Sequence, residues 1–308
     1  MEANSLLHGG LPPSLPHTQS TATTKPTVAF TTPLNYANRL SSILTLKGFN
    51  PLWLPTITTQ STPLTKSSLK SYLVSNRNSN NSPPINDFAA LAFTSRAGIN
   101  AFSDAVNELH RHPLLPEGGE FLIAALGYDS MLLDDEFVDR MCENVGRVRI
   151  VVPEVATPSG LVKELGFGCR RKVLCPVPLV VGIEEPPAVP GFLNELELSG
   201  WVAVRVDAYE TRWAGAECGR RLVAVGENVD AVVFTSTGEV EGLLKSLKEL
   251  GWDWDMVRRK WPQLVVAAHG PVTAAGAKRL GVEVDLVSSN FGTFEGVVDA
   301  LHLKLLSS

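Results

Sequence analysis

The chain has 308 residues, 44% of them hydrophobic and 19% charged, with a formal net charge of -5 at pH 7. That length suits two domains, each able to bury its own core, and the acidic balance excludes nucleic acid as the main partner, because neutralising phosphates needs clustered Lys and Arg. No stretch approaches the ~20 apolar residues of a membrane helix. The four cysteines (Cys142, Cys169, Cys175, Cys218) show neither CxxC pairing nor zinc-finger spacing, which predicts reduced thiols and no metal site.

Residues 1–27 are rich in Ser, Thr and Pro, and no acid occurs between Glu2 and Asp87. Two readings stay open: a disordered tail, or an organellar transit segment, with the plastid stroma as destination and the cytoplasm as the alternative. Thr27–Thr31 reads as a strand. Ala37, Leu40, Ile43 and Leu44 recur at helical spacing, with Gly48 as the helix stop. An extended stretch, Phe49–Ile57, precedes a helix at Leu64–Val74 and a polar loop at Asn76–Pro84. There follow strand Ala89–Phe93, helix Ala97–Glu108, strand Phe121–Leu126, helix Met131–Asn144, strand Arg147–Val152 and helix Ser159–Leu165.

A second round opens with strand Lys172–Cys175 and a proline-rich loop, Pro176–Pro190. Helix Gly191–Leu198, strand Trp201–Val206, helix Ala214–Val225, strand Ala231–Phe234 and helix Val240–Glu249 come next. Strand Leu264–Ala268, helix Val272–Leu280, strand Glu283–Val287 and helix Phe294–Leu306 close it. Strict strand–helix alternation predicts an α/β fold with parallel sheets and helices on both faces.

The two rounds share motifs. Leu91-Ala92-Phe93-Thr94-Ser95 and Val232-Val233-Phe234-Thr235-Ser236 are apolar strands that stop at a Thr-Ser step and turn into a helix. Gly127-Tyr128-Asp129-Ser130 answers to Gly270-Pro271-Val272-Thr273. Thr157-Pro158-Ser159-Gly160-Leu161 answers to Thr293-Phe294-Glu295-Gly296-Val297. Hydroxyl residues therefore gather where strands end, the edge at which such folds bind ligands.

With Val206-Asp207-Ala208-Tyr209-Glu210-Thr211 and the Ala268-His269-Gly270-Pro271 turn, these motifs, in this order from about Val28 to Leu305, resemble the uroporphyrinogen-III synthase family. The resemblance implies two flavodoxin-like domains joined by a two-stranded connector, Leu54–Thr59 with Val206–Arg212. The first domain would comprise 28–54 plus 212–308, and the second 55–211. It implies a linear tetrapyrrole substrate, hydroxymethylbilane, which loses water and closes to uroporphyrinogen III with ring D inverted. It implies no cofactor, a monomer, no membrane partner, and the preceding pathway enzyme as a candidate partner. Tyr209 would face the cleft and hydrogen-bond the departing hydroxyl.

Carboxylates of such a substrate suit helix N-termini and neighbouring hydroxyls. The candidate binding residues are Thr31, Thr94, Ser95, Ser130, Thr235, Ser236, Gly270 and Thr273. Taken singly, each Ser or Thr also reads as an ordinary N-cap. His269, His110, His112, Glu184-Glu185, Asp134-Asp135-Glu136 and the Trp252/Trp254 pair read as structural or solvated groups.

Four departures from the family pattern stand out: Thr32 where Arg is common, the turn at Gly127–Ser130, the apolar Cys175–Gly182 segment, and His269 in place of an apolar residue. They leave a second function class open, a non-catalytic relative that binds tetrapyrroles or a pathway enzyme as a regulator.

Overall fold

Two mainly parallel sheets, each covered on both faces, organise the chain. The computed structural model describes residues 25–74, 83–109, 114–115 and 118–306. The N-terminal segment up to residue 24, most of the loop after residue 74 and the His110/His112 pair lie outside the described residues.

The first lobe begins with β1 (Thr27–Phe30), α1 (Leu34–Leu46) and β2 (Asn50–Trp53). The chain then crosses to the second lobe for β3 (Ile57–Gln60), α2 (Pro63–Leu73), β4 (Phe88–Phe93), α3 (Arg96–Asn107) and β5 (Phe121–Ala125). A 3-10 turn at Gly127–Leu132, α4 (Asp135–Met141), β6 (Val148–Val151), α5 (Pro158–Leu165), β7 (Lys172–Val181), α6 (Ala188–Leu198) and β8 (Val202–Trp213) complete it. Returning, the chain forms α7 (Glu217–Val225), β9 (Ala231–Phe234), α8 (Thr237–Lys248), α9 (Trp254–Lys260), β10 (Val265–Ala268), α10 (Pro271–Arg279), β11 (Leu286–Val287) and α11 (Glu295–Leu306).

The first sheet has the order β11-β10-β9-β1-β2 and the second β3-β8-β7-β4-β5-β6. Every pairing is parallel except β3 with β8, where Ile57–Gln60 runs against Glu210–Trp213. The inner parallel strands β4, β5, β9 and β10 are apolar throughout because alternate residues feed opposite cores. Phe30, Val233 and Ala267 enter one cluster of the first lobe. Ala29, Val232, Phe234 and Val266 enter the cluster on the other face. Leu91, Phe93 and Ile123 divide from Ala90, Ala92 and Leu122 in the same way in the second lobe.

Three elements differ from the sequence expectation. The helix expected at Met131–Asn144 is broken, because Asp134 turns its carboxylate onto the Phe137 amide at 2.9 Å and starts α4 afresh. Strand β7 does not stop at Cys175 but continues through Pro176 and Pro178 to Val181, beside β8. Its pairing to β4 ends at Leu174, so one edge is free from there on, and two prolines lacking an N–H can be accommodated. It thereby lies beside the β3/β8 antiparallel pair as a third strand. Helix α9 was not anticipated; Asp253 caps it by accepting from the Met256 amide at 2.7 Å, and three basic residues fill its last turn.

The two crossings between lobes meet. The Thr56 carbonyl accepts the Ala214 amide at 3.0 Å, tying the outgoing segment to the returning one. The Thr56 hydroxyl donates to the Glu239 carbonyl of α8 at 2.9 Å. Gly242 lets α8 approach this crossing, since a Cβ there would lie 2.6 Å from the Thr56 oxygen. Gly242→Ala is therefore expected to lower stability by roughly 1–2 kcal/mol, overpacking outweighing the better helix propensity of Ala; the urea midpoint measures it.

Candidate active site between the lobes

Right-handed crossovers put the strand-to-helix turns of each sheet on one edge, and the two edges face each other across a cavity of about 380 Å³. Thr94, Ser95 and Tyr209 line it from the second lobe, and Thr235, Ser236, Gly270 and Thr273 from the first. Two residues in the predicted set are not brought there. Thr31 is fully buried, and its hydroxyl is 2.7 Å from Glu239 Oε2 and 3.1 Å from the Val233 carbonyl. Ser130 turns its hydroxyl back onto the Gly127 carbonyl at 2.7 Å, inside the 3-10 turn.

Tyr209 lies on β8, only 6% exposed, with its hydroxyl 2.7 Å from Ser95 Oγ. Burial lifts its phenol to about 12, the Ser95 hydrogen bond opposing and the Asp129 charge adding to the rise. The hydroxyl thus keeps its proton at neutral pH. Ser95 also caps α3, accepting the Gly98 amide at 3.2 Å.

The equivalent helix start in the first lobe is arranged differently. Ser236 caps α8 in the same way, accepting the Glu239 amide. Glu239, however, folds its carboxylate back over this turn. It accepts the Thr235 amide at 2.9 Å, the Thr235 hydroxyl at 2.5 Å and the Ser236 hydroxyl at 3.2 Å. Burial pushes its carboxyl up, and these hydrogen bonds hold it down in part. An internal carboxylate therefore already occupies much of the donor set at Thr235-Ser236. By contrast, α1 and α10 start at Pro33 and Gly270 with no capping side chain, and both starts line the cavity. The Thr273 hydroxyl donates to the Thr235 carbonyl at 3.0 Å, fixing the α10 start against β9.

Among the described residues lining the cavity, Arg39 is the one side chain with a fixed positive charge, and the acids are Asp129 and Glu239. An anion bound here would meet mainly helix-end amides. Further lining residues escaped the sequence reading: Tyr36, Arg39, Thr157 and Thr293. Thr157 and Thr293 were signalled by the repeated Thr-x-x-Gly pieces, and Thr157 caps α5 by accepting the Gly160 amide at 3.0 Å. Tyr36 and Arg39 carried no such signal, because only tertiary packing turns that face of α1 to the cleft.

The remaining candidates fall elsewhere. Trp252 stacks on Trp261 with ring centroids 5.8 Å apart, away from the cavity. Glu185 pairs with Arg205, and Asp134 is the α4 cap. Among the described residues, no group of three or more His, Cys, Asp or Glu is placed to hold a metal ion, and no helix is long and apolar enough to cross a membrane.

Fold and cleft define a two-lobed α/β protein with a cavity between opposed strand ends. The family model "Uroporphyrinogen-III synthase HemD" matches residues 38–298, and the chain belongs to that family. Among solved structures, it resembles a mutant uroporphyrinogen III synthase from the extremely thermophilic bacterium Thermus thermophilus, with 18% identity, 90% of this chain and 98% of the other covered, and a TM-score of 0.53. The uroporphyrinogen-III synthetase of Helicobacter pylori is similar at 13% identity, with 92% and 100% covered and a TM-score of 0.51. No curated protein sequence matches the chain.

His269 packs its ring edge-on to Phe294 at 5.1 Å, and its Nδ1 is buried without a hydrogen-bond partner. Burial lowers its pKa from the usual 6.5 to about 4, a hydrogen bond to the Phe291 backbone opposing. The unfolded chain takes up a proton near pH 6.5 that the folded protein refuses, so this residue costs stability progressively as pH falls from about 6.5 to about 4. Replacing it in His269→Leu is expected to shrink the stability lost between pH 7 and pH 5, read from urea midpoints at both values.

Proposed function

We propose that the chain is a lyase that cyclises hydroxymethylbilane to uroporphyrinogen III, with loss of water and inversion of ring D. The observation that carries this reading is the convergence of the Tyr209–Ser95 pair and the uncapped starts of α1 and α10 on one cavity shared by both lobes. Its volume falls in the range of small-molecule sites.

Loss of the substrate's hydroxyl generates an electrophilic azafulvene, which the far end of the tetrapyrrole must attack. Tyr209, kept un-ionised by burial, is a suitable donor to the departing oxygen. The helix starts hold acetate and propionate groups, so the larger contribution is positional: the ends are kept together in the inverting geometry, worth several kcal/mol in closures of this kind. With Arg39 as the single cation among the described lining residues, affinity is spread over amides and hydroxyls, and the outlying carboxylates reach solvent.

The alternative, a relative that binds tetrapyrroles without turning them over, has one observation in its favour: the Glu239 carboxylate fills a helix start that would otherwise receive substrate. Incubation with freshly made hydroxymethylbilane separates the two. Type III product is expected; type I alone, formed without catalysis, together with tight uroporphyrinogen binding, would replace the enzyme reading with the regulator. Tyr209→Phe is expected to lower kcat by on the order of tenfold, the value of one hydrogen bond, with an unfolding midpoint close to the parent's.

A further inference from the structure

Among the described residues the lobes meet at the linkers and again at Tyr36. At the linkers, Trp213 Nε1 donates to the Gly242 carbonyl at 3.1 Å and Lys245 Nζ to the Gly182 carbonyl at 2.6 Å. The second contact begins at Tyr36 on α1. Its hydroxyl leaves the first lobe, donates to Asp129 Oδ2 at 3.1 Å and accepts the Arg96 amide of α3 at 3.2 Å. Asp129 also faces the Arg96 guanidinium at 3.7 Å. One turn along α1, Arg39 lies over the Tyr128 ring, 3.9 Å from its centre. At the adjacent Gly127, whose φ is +48°, a Cβ would come within 3.0 Å of the Gly292 oxygen, so the backbones of the two lobes nearly touch.

This contact sits beside the reacting groups. Arg96 directly follows Ser95, and Ser95 holds the Tyr209 hydroxyl. A side chain of the first lobe is thus seated on the first turn of the second-lobe helix that carries Ser95. Tyr36 is half-buried, and desolvation together with the Asp129 charge keeps its phenol protonated, so it can donate to Asp129 while accepting from Arg96. The Asp129 carboxylate, which lines the cavity, is engaged by Tyr36 and Arg96.

We propose that Tyr36 and Asp129 are positioning residues that latch the lobes closed and thereby determine which product isomer forms. The inference rests on the cyclisation reading above. Ring inversion needs both ends of the tetrapyrrole held in one geometry. A cleft that gapes at the Tyr36 side releases that constraint, and the freed intermediate closes without inversion.

The test uses the full chain with Tyr36→Phe, which keeps the ring and removes the hydroxyl, and Asp129→Ala, with Asp129→Glu as the conservative control. Without ligand, the Arg96 amide is expected to exchange hydrogen about tenfold faster in the first two variants, and labels placed on the two lobes are expected to move apart. Unchanged exchange and unchanged separation would overturn the latch whether or not the protein is active. With hydroxymethylbilane, the fraction of type I product is expected to rise about threefold or more as positioning is lost, with Asp129→Glu partly restoring type III. A cleft that opens while the isomer ratio stays at the parent's value would overturn the positioning role. If the parent protein forms only type I, the cyclisation reading and the isomer-setting role fail together, and the exchange and distance measurements then decide the latch alone.

Discussion

The site exists because parallel strands joined by right-handed crossovers deliver every following helix to the same edge of a sheet. In this chain the rule operates twice, and the chain crosses between lobes at Leu54–Thr56 and again at Ala214–Ala216. The hydrogen bond between Thr56 and Ala214 brings these crossings together, and the edges rich in hydroxyls and amides then look at each other. Were either sheet reversed, the Thr-Ser turns would cap helices on an outer surface and nothing would face Tyr209.

The electrostatics follow from this layout. A cavity proposed to receive an eight-fold carboxylate is lined by Arg39, Asp129 and Glu239, and so has little side-chain charge to offer. The positive potential such a ligand would need falls to aligned peptide dipoles, which need no counterion and do not move. The two acids are each satisfied internally. Glu239 is held by the β9–α8 turn and by Thr31, so it binds the ends of β1 and β9 to α8. Asp129 is held by Tyr36 and Arg96 and so binds lobe to lobe. One carboxylate organises a domain, and the other organises the gap.

Much of the fold was legible along the chain. The runs at Leu91–Phe93 and Val232–Phe234 announce strands buried on both faces, and the Thr-Ser steps after them announce helix starts, because cap chemistry is local. Repetition marked Thr94, Ser95, Thr235, Ser236 and Thr273 as residues of equivalent edges, and all of them line the cavity. The prolines at 176 and 178 misled, since Pro disrupts a strand only where its missing N–H would have met a partner, and that depends on where β4 stops. Thr31 misled for a related reason: it stands at a strand end, yet Glu239, 208 positions away, claims its hydroxyl.

Residue order alone determined the strand–helix alternation, the two-faced apolar strands and the hydroxyl-bearing turns, because hydrophobic period, capping and turn chemistry act over a few neighbours. Only the tertiary structure decided which turns share a cavity, that an internal carboxylate occupies the α8 start, and that Tyr36 reaches Asp129 across the lobes. Those outcomes depend on contacts between segments tens to hundreds of residues apart, where local propensity carries no information and packing geometry sets every distance.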